Sequence, residues 1–321
     1  MRHWLDLRHR STVRAVSAIA VISLALMHAA AASCTVTKQA EVPATIVAGV
    51  PVVSAQVNGT ELPFILDTGA QRSLITDAGV QRARVRLDEW ASTMVKGISG
   101  YERHRNADPA SLQLNGVALR RRTVAADQTM TVGPLPQSAL AGQDIAGLLG
   151  VDFLAGFDLE FDLPHRHITL YRVTGCAVPS LASALPWPTG SAQIAASQPI
   201  RDIVIVPVVL DGRTLHAQID SGSAVTVLTV TGTDHMGLSA EALGQDSAGA
   251  LNGVGRFTVA TRRHRFTTLQ IGAERINAPA IVTAPVYILP VVDMLLGEDW
   301  LRERHVWLSF ATSQVFVAPR P

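Results

Sequence analysis

Short apolar runs bounded by turn-forming residues recur along most of the chain. Two pairs of such runs stand on either side of an Asn-Gly or Asp-Gly dipeptide: Val50–Val57 with Leu62–Leu66, and Val204–Leu210 with Leu215–Ile219. These dipeptides are strong hairpin signals, because both central residues of a type I′ turn need a positive φ. The pattern therefore predicts two equivalent β-hairpins, one in each half of the chain.

Each half closes with a second pair of apolar runs, namely Phe157–Asp162 with His167–Tyr171 and Val306–Phe310 with Gln314–Val317. Val, Ile and Thr, which favour strands, are frequent in these runs, and Gly, Asn, Asp and Pro separate them. One short helix per half is predicted after a Leu-Leu-Gly triplet, around Val151–Ala155 and Glu298–Arg302. The sequence is typical of a mainly β protein in which one unit occurs twice.

The first hairpin of each half ends in the same motif, an apolar strand that continues into Asp-(Thr/Ser)-Gly. The two copies are Asp67-Thr68-Gly69-Ala70 and Asp220-Ser221-Gly222-Ser223. One copy alone is an ordinary turn in which the aspartate accepts hydrogen bonds from nearby backbone amides. Two copies at matching positions predict instead that Asp67 and Asp220 meet as a pair of carboxylates sharing one proton.

A glycine-flanked segment lies between the aspartate motif and the Leu-Leu-Gly triplet in each half. The segments are Gly97-Ile98-Ser99-Gly100 and Gly253-Val254-Gly255, and the triplets are Leu148-Leu149-Gly150 and Leu295-Leu296-Gly297. Glycine adopts the backbone conformations that tight turns need, so both segments are predicted to be hairpin tips. Two alternatives stay open for them: flaps that close over a peptide, or plain turns.

Length and composition favour two compact domains. A chain of 321 residues that is 48% hydrophobic and 17% charged can bury substantial cores and is too apolar to be disordered. Residues 173–200 contain no charged residue and four prolines, which predicts a Pro/Ala/Ser-rich linker along the protein surface. The predicted domains are therefore residues 45–172 and 201–318.

The N-terminus has the layout of a secretory signal. Four arginines precede the mostly apolar stretch Ala15–Met27, and small residues follow from Ala29 to Ser33. The apolar stretch is shorter than the ~20 residues that a membrane-spanning helix needs. Residues 1–33 are predicted to be a signal peptide or lipoprotein signal, and the protein is expected in the periplasm or cell envelope, or else secreted.

The chain has two cysteines, Cys34 and Cys176, and two chemical states are possible for them. The sequence Ala31-Ala32-Ser33-Cys34 is similar to a bacterial lipoprotein cleavage site, although Ala31 stands where leucine is usual, and Cys34 would then carry a lipid anchor. Ordinary cleavage would instead allow an exported protein to pair Cys34 with Cys176 in a disulfide. The sequence leaves both open.

Other chemistries have little support in the sequence. The formal net charge of +1 does not favour a nucleic-acid partner. There is no His-Glu-x-x-His, Gly-x-Ser-x-Gly or phosphate-loop motif, and neither cysteine has a neighbouring metal-ligand pattern. No cofactor and no metal are expected.

The paired aspartate motifs and Leu-Leu-Gly triplets resemble those of the aspartic peptidases of the pepsin and retropepsin group. The resemblance covers about residues 45–175 and 200–318 and is closer to bacterial retropepsin-like proteins, because each unit is compact. It implies a bilobal, pseudo-two-fold acid-protease fold: two retropepsin-like β-barrel lobes in one chain, a monomer, with a cleft between them. It also implies that the Thr68 and Ser221 hydroxyls brace the two aspartate loops against each other.

The resemblance implies an exported endopeptidase acting on peptide or protein substrates. Two adjacent carboxylates cannot both ionise cheaply, so one can activate a water while the other donates a proton to the substrate carbonyl. Which of Asp67 and Asp220 is the base stays open. The alternative is a peptide-binding protein with little or no turnover on the same scaffold.

A difference between the two motifs predicts the pH dependence. Ser223 can donate a hydrogen bond toward Asp220 and lower its pKa, whereas Ala70 cannot do so for Asp67. We therefore expect the depressed pKa on the Asp220 side, with activity peaking at roughly pH 4–6.

Overall fold

A computed structural model describes residues 33–98, 100–121, 128–135, 142–185, 187–198, 200–254 and 258–319. The predicted signal, residues 1–33, lies outside this part of the chain apart from Ser33, and so do Ser99 and Gly255. Within the described ranges, no helix combines the length and the apolar character needed to cross a bilayer.

The first half of the chain is built mainly of strands. Its elements are β1 (Thr35–Val47), β2 (Val50–Val57), β3 (Thr60–Leu66), β4 (Leu74–Ile75), α1 (Asp77–Arg82), β5 (Arg86–Gly97), β6 (Gly100–Asp108), β7 (Leu112–Leu114), β8 (Val117–Ala118), β9 (Met130–Val132), β10 (Gly147–Leu149), α2 (Val151–Leu154), β11 (Asp158–Asp162), a 3₁₀ turn (Leu163–His165) and β12 (His167–Thr174).

The second half repeats much of this order after a short intervening segment. That segment contains α3 (Val178–Ala184) and β13 (Ala192–Ala195). The elements that follow are β14 (Ile205–Leu210), β15 (Arg213–Ile219), β16 (Val227–Leu228), α4 (Val230–Met236), α5 (Ala240–Gly244), β17 (Ser247–Leu251), β18 (Val259–Arg265), β19 (Thr268–Ile271), β20 (Glu274–Asn277), β21 (Ala280–Thr283), β22 (Met294–Leu296), α6 (Glu298–Leu301), β23 (His305–Ser309) and β24 (Gln314–Val317).

The two predicted hairpins are confirmed. Strand β2 pairs with β3, and β14 pairs with β15, both antiparallel. The turn residues Asn58 and Gly59 have φ of 49° and 80°, and Asp211 and Gly212 have φ of 45° and 81°. These positive values are those of a type I′ turn, which explains why Asn-Gly and Asp-Gly occupy these positions.

The Leu-Leu-Gly triplets hold the aspartate loops in place. Strand β10 lies parallel to β3 and antiparallel to β4, and β22 lies in the same way between β15 and β16. Each triplet is followed by one turn of helix, α2 or α6, as predicted. The last residues of β3 and β15 are thereby fixed at the centre of each half, immediately before Asp67 and Asp220.

One sheet joins the two halves through pairings that are distant in sequence. In it β11 pairs with both β12 and β23, and β24 pairs with both β23 and β13. Residues 173–200, predicted as an extended linker, contribute α3 and the edge strand β13 to this region. The reason is apolar burial, since Leu181 is fully buried beside Trp307 and Phe316.

Cys34 and Cys176 form a disulfide in this structure. The bond ties the start of β1 to the segment that follows β12, across 142 residues of sequence. A sulfur bonded in this way is not available for attachment of a lipid.

Candidate active site

Asp67 and Asp220 occupy equivalent positions at the ends of β3 and β15. The backbone N–H of Asp67 donates to the carbonyl of Leu149 at 2.9 Å, and that of Asp220 donates to the carbonyl of Leu296 at 3.0 Å. The second leucine of each triplet therefore fixes where its aspartate leaves the strand.

The structure brings the two carboxyls together. They lie close enough for each carboxyl to shift the pKa of the other. A Cβ added to Gly69 would lie 2.3 Å from Cγ of Asp220, and one added to Gly222 would lie 2.2 Å from Cγ of Asp67. Each carboxyl thus lies against the glycine of the opposite motif, and any larger residue there would displace it.

Backbone amides support the two carboxyls unequally. Oδ1 of Asp67 accepts hydrogen bonds from the N–H groups of Gly69 and Ala70, both at 2.9 Å. Oδ1 of Asp220 accepts one from Gly222 at 3.0 Å, and the N–H of Ser223, which also lowers the pKa of this carboxyl, donates to the main-chain oxygen of Asp220 at 3.3 Å. Asp67 is therefore the better supported site for a negative charge.

The Thr68 and Ser221 side chains link the two loops. Oγ1 of Thr68 donates to the carbonyl of Ile219 at 2.9 Å and accepts from the N–H of Ser221 at 3.1 Å. Oγ of Ser221 donates to the carbonyl of Leu66 at 2.7 Å and accepts from the N–H of Thr68 at 3.0 Å. These four buried hydrogen bonds form the brace that the resemblance implies.

Burial governs the protonation of the pair. It raises the pKa of Asp67 to about 6, opposed by the N–H groups of Ala70 and Gly69 and by the hydrogen bond with Asp220. Burial, followed by the charge of Asp67, raises the pKa of Asp220 well above its ordinary value, opposed by the N–H groups of Gly222 and Ser223. Both carboxyls therefore keep their protons to higher pH than exposed aspartates do, and Asp220 has the more strongly raised pKa, so a single proton shared by the pair favours Asp220.

The expected role of Ser223 is wrong. Its Oγ donates to the carbonyl of Val225 at 2.8 Å, so the hydroxyl is engaged in its own loop and not with Asp220. The depressed pKa was expected on the Asp220 side, whereas Asp220 has the more strongly raised pKa of the two. The pH range of activity stays a prediction, and these pKa directions favour a range above roughly pH 4–6.

A second layer of polar residues supports each aspartate loop. Asp152, at the start of α2, accepts from N and Oγ of Ser73 at 3.0 and 2.7 Å, and Oγ of Ser73 accepts from the N–H of Gly150 at 2.8 Å. In the second half Asp299, Thr226 and Gly297 make the same three contacts. These residues are not among the site residues predicted from the sequence, although the repeated Leu-Leu-Gly-x-Asp pattern indicates both aspartates.

The two glycine-flanked tips reach across to opposite halves. Ile98, between β5 and β6, packs against an apolar cluster of the second half that includes Ile203, Val227 and Leu295. Val254, after β17, packs against a cluster of the first half: Val50, Val52, Ile65, Leu74, Leu135, Ile145 and Leu148. The tips also approach each other, because a Cβ on Gly253 would lie 2.9 Å from Cδ1 of Ile98.

The tip of the β5–β6 hairpin is also held by a polar contact. Nζ of Lys96 donates to the carbonyl of Ile288 at 3.2 Å and lies 4.4 Å from the ring centroid of Tyr287. Gly97 and Gly100 end the two strands of this hairpin, and Ser99 between them lies outside the described residues, as does Gly255 of the other tip. Substrate contact by either tip stays a prediction.

Among the described residues, no three His, Cys, Asp or Glu side chains are grouped so that they could hold a metal ion.

Comparison with known proteins gives two family matches. A family model described as aspartyl protease matches residues 53–153 and again residues 206–300. Each match covers one aspartate motif and one Leu-Leu-Gly triplet, so together they confirm the mainly β fold built from two equivalent units. The chain has no match among curated proteins.

Proposed function

The chain belongs to the aspartyl protease family, and from that premise we propose that it is an exported endopeptidase with Asp67 and Asp220 as its catalytic pair. The observation that carries the proposal is the contact of the two carboxyls, each lying against the glycine of the opposite motif. A peptide-binding protein without turnover has no need for two carboxyls that share a proton in this way.

The unequal support of the carboxyls favours Asp67 as the base and Asp220 as the acid. Asp67, ionised and held by two N–H donors, takes a proton from a water as the water oxygen attacks the peptide carbonyl carbon. Asp220 gives its proton to the carbonyl oxygen, which produces a neutral tetrahedral intermediate. The C–N bond then breaks as Asp67 gives its proton to the leaving nitrogen and Asp220 takes a proton from a hydroxyl of the intermediate, which leaves Asp67 ionised and Asp220 protonated again.

Export is supported by two features. The N-terminal pattern of arginines, apolar residues and small residues is that of a secretory signal. The Cys34–Cys176 disulfide suits an oxidising compartment such as the periplasm or the cell exterior. The lipid anchor at Cys34 is the competing possibility, and the intact mass of the mature protein distinguishes the two.

The test is hydrolysis of a mixed peptide library at several pH values by wild type and by Asp67→Asn and Asp220→Asn. Each substitution is expected to lower kcat/KM by about 10²–10⁴-fold, because each removes one proton-transfer group. The double variant is expected to lose little more, since the pair works as one unit. Asp234→Asn, at an exposed helical position, is the matched control and keeps full activity.

Near wild-type turnover in either single variant would show that these aspartates are not the catalytic pair. Tight peptide binding without cleavage by the wild-type protein would instead support the alternative of a non-hydrolytic binding protein. A transition-state-mimicking inhibitor of aspartic peptidases serves as the positive control for occupancy of the site.

A further inference from the structure

The two halves differ at the position two residues before each catalytic aspartate. Ile65 occupies it in β3 and belongs to the apolar cluster of the first half. Gln218 occupies it in β15 and is 2% exposed. Its Oε1 has no hydrogen-bond partner among the described residues. A buried amide with an unsatisfied oxygen is costly, so its presence calls for a role that isoleucine could not fill.

Gln218 makes one contact across the boundary between the halves. Its Nε2 donates to the main-chain oxygen of Gly69 at 3.2 Å. That oxygen belongs to the same peptide unit as the N–H of Ala70, which donates to Oδ1 of Asp67 at 2.9 Å. Hydrogen bonds in such a chain polarise one another, so a donor on the carbonyl strengthens donation by the N–H.

The corresponding chain around Asp220 lacks its outer donor. Ile65 carries no donor that could bind the carbonyl of Gly222. The N–H of Ser223, which corresponds to that of Ala70, donates to the main-chain oxygen of Asp220 at 3.3 Å and also lowers the pKa of the Asp220 carboxyl. The support of the two carboxyls is therefore unequal at the position where Gln218 acts.

We propose that Gln218 is a positioning residue that acts through the Gly69–Ala70 peptide unit to make Asp67 the charged member of the pair. The consequence for catalysis rests on the proposed peptidase function, whereas the consequence for protonation does not. Each aspartate is the titratable side chain that shifts the pKa of the other. A change at Gln218 should therefore appear directly in the titration of this pair.

The experiment compares Gln218→Met with wild type by carbon-13 NMR titration of the aspartate carboxyls, assigned through Asp67→Asn and Asp220→Asn. Methionine is similar in length and has no amide. The lower pKa of the pair is expected to rise by about half a pH unit, because a cooperative contribution is a fraction of one hydrogen bond. The acid limb of the pH profile of kcat/KM should shift to higher pH by the same amount.

Gln314→Met is the matched control. Gln314 is also a buried glutamine, 1% exposed on β24, and its Oε1 accepts from Oγ1 of Thr312. The same substitution there should leave the titration of the pair unchanged. Ile65→Gln is a second arm that keeps Gln218 in place: it should lower the upper pKa of the pair by supplying the missing donor on the Asp220 side.

Superimposable titrations of wild type and Gln218→Met, or an equal shift in Gln314→Met, would overturn the proposal. If Gln218→Met fails to fold, the titration of Ile65→Gln is the test. An unchanged or raised upper pKa in that variant would contradict the proposal. If no peptide is hydrolysed by any of the proteins, the proposed function fails, while the NMR titration still supports or refutes the role of Gln218.

Discussion

Replacing Glu298 by glutamine should stabilise the protein strongly at alkaline pH. Glu298 follows the second Leu-Leu-Gly triplet, where the first half has Val151, and its N–H donates to the carbonyl of Ser223 at 2.7 Å. Its side chain is fully buried, and neither carboxyl oxygen has a hydrogen-bond partner among the described residues. A buried carboxyl without partners is stable in its neutral form and costly in its charged form.

The size of the effect follows from linkage. Burial raises the pKa of Glu298 from 4.5 to about 8, with Arg302 lowering it and Asp299 raising it. Below pH 4.5 the folded and unfolded forms are both protonated, and no penalty exists. As the pH rises toward 8 the unfolded form loses its proton first, so stability falls by about 1.4 kcal/mol per pH unit, up to about 5 kcal/mol in total.

The assay is urea unfolding followed by tryptophan fluorescence at several pH values between about 4.5 and 8.5. Glu298→Gln should match wild type at the acidic end and exceed it progressively toward pH 8, because glutamine has no charged form. Other buried carboxyls, including Asp152 and Asp158, have raised pKa values in both proteins and cancel in the difference.

Glu303→Gln is the control, since Glu303 is an exposed glutamate five residues further along the chain. Its unfolding free energy should follow that of wild type at every pH. Parallel stability curves for Glu298→Gln and wild type would refute the reasoning, because they would mean that Glu298 gains or loses no proton on unfolding. A variant that is less stable at pH 8 would refute it as well.

Three further predictions follow from the site and the disulfide. The acid limb of kcat/KM should lie near pH 6, because protonation of Asp67 removes the base, and a limb near pH 4 would contradict this assignment. Thr68→Val should cost about 1–3 kcal/mol in urea unfolding, because it leaves the buried N–H of Ser221 without its acceptor. Replacing Cys34 and Cys176 by serine should cost about 2–5 kcal/mol, with the reduced wild type matching the variant.

Local signals explain which parts of the fold were predictable. The Asn-Gly and Asp-Gly turns and the Leu-Leu-Gly triplets act over a few residues, so the β2–β3 and β14–β15 hairpins and the short helices α2 and α6 could be read directly. The pairings of β11 with β23 and of β13 with β24 join residues more than a hundred positions apart. No local pattern specifies such partners, so the sheet that joins the two halves was not foreseen.

The candidate site was likewise predictable only where a local sequence motif specifies it. The repeated motifs, which can be identified directly in the sequence, specify the aspartate pair and its brace: Asp67, Asp220, Thr68 and Ser221. The direction of one hydroxyl does not follow from its position in a motif: the Oγ of Ser223 turns to the carbonyl of Val225, 2.8 Å away in the same loop. Short polar side chains compete for local backbone acceptors, and the sequence does not give the position of each acceptor in the folded loop.

Three of the deviations from two-fold symmetry around the pair are polar residues in the second half. At three corresponding positions the second half has a polar residue where the first has an apolar one: Gln218 for Ile65, Ser223 for Ala70 and Glu298 for Val151. The Ser223 hydroxyl bonds within its own loop, and the Glu298 side chain makes no hydrogen bond among the described residues. Gln218 alone of the three donates to the opposite aspartate loop. A pair built from two identical units would have no preferred base, so a fused chain can assign the charge with a single side chain, and Gln218 is the residue in position to do so.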